Sequence, residues 1–224
     1  MNPKLVSELQ RSLPGRALLL FWDVMPRLLP TLVAMPIAVA ITVIVSSALP
    51  VSGSLVAWPL VGAVYALGYS TVMREAAALG LMPTIVVRSW MSLLARGALV
   101  GLLPGSCFAM LDIAAYAVAA GVPPVVSACG FVACSIALVL IAVSWPFVIS
   151  ALAGSSPRGN PAIRYALSMA ASLPYRTLRA LAVTAVCIVL AILVGPAILI
   201  VSIGPAIALH VLLVEERLPT TVSA

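Results

Sequence analysis

Residues 96–121, RGALVGLLPGSCFAMLDIAAYAVAAG, constrain the fold more than any other stretch. Between Arg96 and Gly121 the one charged residue is Asp112. As a helix, Gly97–Ala119 is about 34 Å long at ~1.5 Å per residue, enough to cross a hydrocarbon core of ~30 Å. Gly97, Gly101, Gly105 and Ala109 recur at i, i+4. They form one ridge of small residues, the kind of surface on which a second helix approaches backbone to backbone. Asp112 continues that face, so the acid is expected to point at protein rather than at lipid.

The rest of the chain agrees with this reading. Of 224 residues, 63% are hydrophobic and 8% charged, with a mean hydropathy of +1.23. Soluble domains run at ~25% charged, and a water-soluble core of this length could not hide so much apolar surface. The class is therefore an all-α, polytopic transmembrane helical bundle. No polar stretch is long enough for a separate soluble domain. The expected organisation is an N-terminal interfacial segment (1–27), one transmembrane domain (28–218) and a short tail (219–224). The net charge of +6 comes from single Lys and Arg residues scattered between apolar runs. That pattern fits the positive-inside bias and a lipid bilayer as partner, not nucleic acid.

Taken in order, residues 3–27 read as an amphipathic surface segment. Leu5, Leu9 and Leu13 share a face, Pro14-Gly15 forms a break and Trp22 is an interface anchor. The first 16 residues carry Lys4, Glu8, Arg11 and Arg16, and Ala17–Trp22 is a short apolar run, so no secretory leader is expected. Span one is Leu28–Leu49, followed by a turn at 50–54. Span two is Val56–Met73, with a second small-residue ridge at Gly62, Ala66 and Ser70. Met82–Ala95 has the length of an interfacial helix. Span three is the stretch described above, Gly121–Pro124 is a turn, and span four is Val125–Ala153. Ala162–Leu173 is a second interfacial candidate. From Ala180 to Val214 the chain is uncharged and would reach about 52 Å as one helix. Gly195-Pro196 and Gly204-Pro205 interrupt it. This predicts spans at 177–194 and 197–214, six in all, or five plus a re-entrant segment.

With six spans and a cytoplasmic N-terminus, all twelve Lys and Arg fall on the cytoplasmic side. The outer loops near 50–55, 120–124 and 195–196 are then uncharged. Val56–Val61 and Val143–Val148 share a Val-x-Trp-Pro-x-Val pattern. Spans two and three are thus candidates for a parallel repeat of spans four and five.

Chemistry is sparse. Asp112 reads either as an ion, proton or substrate contact or as a helix–helix hydrogen bond. His210 is the one histidine and reads as a packed or interfacial residue. The Gly-Pro breaks read either as exposed helix ends facing an ion or as ordinary kinks. Cys107, Cys129, Cys134 and Cys187 lie in predicted spans without a C-x-x-C or Cys/His cluster, so neither a disulfide framework nor a zinc site is expected. The H-E-x-x-H, G-x-S-x-G and phosphate-loop patterns are absent. Ser106 with His210 would imitate a serine–histidine pair if the fold united them, but their predicted depths differ. No enzymatic activity and no cofactor are expected.

Several features occur together. They are Leu49-Pro50-x-x-Gly53, Arg74-Glu75, the helix with Trp90 and Arg96, the span carrying Asp112, Trp145-Pro146-Phe147, and Leu173-Pro174-x-x-Thr177-Leu178 before Gly-Pro-containing C-terminal spans. In this order the chain, over about residues 28–218, resembles the YesL-like bacterial membrane proteins, a family defined as a domain of unknown function. The resemblance implies a bacterial plasma-membrane protein with an accessory role beside carbohydrate uptake, a transporter subunit or a second copy as partner, and no catalytic residues to carry over. The alternative is a transporter or channel for a small solute, with Asp112 and the Gly-Pro breaks on its path.

Overall fold

A computed structural model describes residues 13–79, 89–153, 174–195 and 198–215. Six helices follow one another: α1 (Leu13–Ala48), α2 (Pro50–Ala78), α3 (Trp90–Ala119), α4 (Pro124–Ala153), α5 (Pro174–Val194) and α6 (Leu199–Glu215). No strand occurs among the described residues. Four helices, Gly15–Ala48, Val51–Ala78, Trp90–Ala119 and Val125–Ala142, are long and apolar enough to cross a membrane. In lipid each backbone N–H and C=O must be satisfied internally, and a helix does so within its own segment. The protein is an all-helical, membrane-embedded bundle.

α1 departs from the sequence expectation. It runs unbroken through the proposed boundary at 27/28, and Pro14-Gly15 falls in its first turn, where a missing N–H costs little. Ala17, Leu20, Phe21, Val24, Leu28, Leu32, Met35 and Ala38 form one buried stripe at helical spacing, while Trp22 is exposed on the opposite side. The stripe binds residues 13–27 to the core, so they are not a separate surface segment. Residues 1–12 of that segment lie outside the described residues.

The expected turn at 50–54 is also helix. The α1–α2 connection is reduced to Leu49, with proline in the first turn of α2. Gly53 belongs to this helix and serves close approach, since a Cβ there would strike the Val45 carbonyl. Thr42 Oγ1 donates to Ala38 O at 2.7 Å and lies 3.3 Å from Ala57 O on α2. Arg27 pairs with Glu75 farther along the same antiparallel contact.

The two small-residue ridges meet each other. Gly62 packs against the Gly97 carbonyl and Gly101 Cα; Gly97 packs against Gly62 and Ala66; Gly101 lies on the backbone of Trp58 and Pro59; and Gly105 lies on Ser54. Trp58 and Phe108 stack at 4.9 Å beside this seam. α3 begins at Trp90, so the described end of the predicted 82–95 interfacial helix is the first turns of α3, with Leu93 buried. Residues 80–88, and the whole second interfacial candidate at 162–173, lie outside the described residues.

The α3–α4 turn forms where expected. Gly121 has φ +81, Val122 N–H donates to Ala117 O at 3.0 Å and Gly121 N–H to Val118 O at 3.1 Å. This is a Schellman ending, which needs the left-handed conformation that glycine adopts freely. The antiparallel register that sets Gly105 on Ser54 places Ala109 level with the start of α2. The last turns of α3 and the first of α4 therefore project past the α1–α2 turn by roughly 15 Å at ~1.5 Å per residue.

Three contacts fix the direction of α6. Gly204 lies between Phe21 and Leu32 of α1, and Ile207 and Thr31 meet at Gly68 of α2. His210 reaches Tyr65. Advancing along α6 means moving toward the N-terminal end of α2, so α6 is antiparallel to α2 and runs with α1. The Gly195 turn, at φ +104, therefore lies toward the end where α2 finishes and α3 begins. The expectation of an outer loop at 195–196 is corrected. An uncharged turn gives the positive-inside rule nothing to act on, so charge could not place it. α5 and α6 lie where the fifth and sixth spans are predicted but are not among the four helices long and apolar enough to cross a membrane, and Gly204-Pro205 sits inside a continuous α6. The two Trp-Pro segments have different surroundings: Trp58 stacks on Phe108 of α3, whereas Trp145 meets Tyr65 of α2 edge-on. These surroundings do not support a repeat.

Gly101→Leu tests the seam. A Cβ at Gly101 would lie 2.5 Å from Trp58 O and 2.8 Å from Pro59 Cα, both backbone atoms that cannot swing aside. The substitution is expected to cost at least the ~1–3 kcal/mol typical of overpacking. The expected readout is a lower midpoint in thermal unfolding of the detergent-solubilised protein. Leu102→Ala, on the exposed side of the same helix, is expected to change stability by less than about 0.5 kcal/mol.

Candidate functional site

The most concentrated polar chemistry lies where α2, α4, α5 and α6 converge. Tyr65 and Tyr69 are one turn apart on α2 and both are buried. Tyr65 Oη is 2.6 Å from His210 Nδ1. The other imidazole nitrogen, Nε2, is 3.4 Å from Thr184 Oγ1 on α5. Trp145 of α4 meets the Tyr65 ring edge-to-face at 5.9 Å, and Tyr69 is tilted against it at 6.4 Å. His210 is 3% exposed, which excludes the interfacial alternative for this residue.

The hydrogen-bonding roles depend on which ring nitrogen carries the proton. A neutral imidazole has one N–H and one lone pair. If Nε2 carries the proton and faces Thr184, Nδ1 accepts from the Tyr65 hydroxyl, and both contacts are satisfied without a buried charge. The cluster is a hydrogen-bonded chain, Tyr65–His210–Thr184, that ties three helices together.

The remaining sequence candidates are dispersed. Gly97, Gly101, Gly105, Gly62 and Ala66 lie in the α2–α3 seam, facing each other rather than an open groove. Ala109 is buried at the end of that seam. Asp112 is half-buried, past the level of the α1–α2 turn, and makes no hydrogen bond or ion pair with a described residue. Ser106 is exposed, donates to Leu103 O at 2.8 Å, and sits on α3, which does not pack against α6; the serine–histidine pairing does not form. No group of three His, Cys, Asp or Glu able to hold a metal exists among the described residues. The described cysteines are all free thiols.

The sequence singled out His210 but did not join it to Tyr65. The signal was depth: a tyrosine and a histidine in the interior of apolar helices each need a polar partner. The pairing spans 145 positions and depends on the direction of α6, which charge did not reveal.

Fold and site together define a membrane-embedded helical protein whose central polar contacts are internal. Comparison with protein-family models, curated proteins and solved structures finds no match.

Tyr65→Phe removes the hydroxyl and leaves His210 Nδ1 without this partner; His210→Leu removes the imidazole. A double-mutant cycle on unfolding is expected to give a coupling of about 0.6–1.7 kcal/mol, the range for interhelical hydrogen bonds in membranes. A coupling near zero would show that the two groups contribute independently.

Proposed function

We propose that the protein is a multi-pass component of a bacterial plasma membrane, with its N-terminus cytoplasmic, that acts by associating with another membrane protein. The resemblance to the YesL-like family makes a carbohydrate-transporter subunit the expected partner, with self-association as the second choice. The orientation is supported by charge. Arg16, Arg27, Arg74 and Arg96 lie toward one end and the connections at Leu49 and 120–123, at the other, are uncharged; against this, α5 runs antiparallel to α6 and carries Arg179 at the Leu49 end.

The observation that carries the association reading is the outer half of α4. Of the most apolar stretch within Val51–Ala78, 56% is buried, against 6% of Val125–Ala142. Val125, Val126, Val132, Ile136, Val139 and Leu140 all face outward. Tyr65, His210 and Thr184 are occupied with one another, and the glycine ridge is closed by α2. A partner is therefore expected to meet α4, not the ridge.

A second reading rests on Asp112, half-buried and without a described partner. A small-solute transporter or channel could use such a carboxylate at its outer entrance. The Gly-Pro element at 204–205 no longer supports this reading, because α6 is continuous there and Gly204 is packed against Phe21.

Photo-crosslinking amino acids at Val132 and Leu140, introduced in native membranes, separate the two readings. The association reading expects a specific adduct with a transporter subunit from both positions and much less from Leu18 on α1, also exposed. If α4 yields no protein adducts and proteoliposomes show a solute flux that falls at least tenfold in Asp112→Asn, the second reading replaces the first.

A further inference from the structure

The α3–α4 contact carries a feature that neither reading uses. Along the outer half of α4, Ser127, Gly130, Cys134, Ala137 and Ile141 are shielded while most of their neighbours are exposed. Their alternating three- and four-residue spacing makes them one helical seam. On α3, Cys107, Leu111, Ala114 and Ala117 are shielded at three- and four-residue intervals. The two seams face each other: a Cβ on Gly130 would lie 3.7 Å from Ala114 Cβ. In the antiparallel register set by that contact, Cys134 enters the layer between Cys107 and Ala114. Cys134 is then level with Met110, within one turn of the level of Cys107 on the facing seam. Cys129, by contrast, is exposed away from this seam.

We propose that Cys107 and Cys134 form a redox-responsive pair whose oxidation joins α3 to α4 by an intramolecular disulfide. The small residues in both seams bring the backbones close, and a disulfide needs Cα atoms about 4.4–6.8 Å apart. The co-reactant is a disulfide or diazene oxidant. One thiolate attacks a sulfur of a disulfide oxidant and releases the first thiol. The second thiolate then attacks the mixed disulfide and releases the other. Two cysteine thiols lose two protons and two electrons, one S–S bond forms in the protein, and the oxidant's S–S bond becomes two thiols. With a diazene, the N=N bond takes up the two hydrogens instead. The product closes the α3–α4 hairpin covalently around its Schellman turn.

The test is a thiol count on the full chain. Protein purified with reductant in detergent is desalted, treated with diamide or oxidised glutathione, and alkylated with N-ethylmaleimide under denaturing conditions for intact-mass measurement. The sequence has four cysteines, so reduced protein is expected to take four adducts and oxidised protein two. A non-reducing digest is expected to show the Cys107 and Cys134 peptides joined. Cys107→Ser and Cys134→Ser are each expected to take three adducts with and without oxidant, whereas Cys129→Ser is expected to fall from three to one. Four adducts after oxidation, a glutathione adduct without a bridge, or a bridge through Cys129 or between two molecules would overturn the proposal. The wild-type masses decide it even if a variant does not fold.

Discussion

The backbone contact between α2 and α3 is the constraint on which the rest of the bundle depends. Inside a bilayer the hydrophobic effect does not drive one helix against another, because lipid tails are as apolar as leucine. Association relies on dispersion, which falls off steeply with distance, so the approach must be very close. Gly62, Gly97, Gly101 and Gly105 provide it by removing the side chains that would hold the helices apart. Once α2 and α3 are joined, α2 has one side fixed and presents the others to α1, α4 and α6. The buried set Val64, Tyr65, Tyr69, Val72 and Met73 follows from that position.

The polar cluster adds direction to this apolar packing. Dispersion contacts between Ala-, Val- and Leu-rich helices are tolerant of sliding and reversal. A hydrogen bond from Tyr65 to His210, with Thr184 on the far side of the ring, is satisfied in few arrangements. Leaving either group unpaired would cost the desolvation of a polar group without return. The cluster therefore acts on the choice of α6 direction more than on total stability. Gly204, pressed against Phe21, fixes the same helix on α1 from its other side.

How much of this was legible in the sequence depended on whether the signal was local. The class followed from apolar runs too long for a soluble core, and the helical turn at Gly121 from Gly-Val-Pro-Pro. The ridges at 62–70 and 97–109 were visible as i, i+4 repeats, but a ridge does not name its partner, so their meeting each other was not readable. Pro14-Gly15 and Pro50–Ser54 looked like breaks because proline and glycine usually punctuate. In the structure proline opens a helix in the first case and glycine admits a neighbouring helix in the second. Asp112 was placed on the ridge face by periodicity, yet α2 begins too late to cover it. The Tyr65–His210 contact was illegible because it needs the path of α6, and an uncharged turn does not declare its side of the membrane.

The stagger between the two long hairpins has a mechanical consequence. α3 and α4 continue about 15 Å past the α1–α2 turn, and α4 remains apolar there. One flank of the protein thus offers lipid a taller greasy wall than the other. A membrane of uniform thickness cannot match both; it must stretch on one flank, thin on the other, or let the molecule lean. Any difference in height between its two halves is thus a source of mismatch that the bilayer or the protein's lean must absorb.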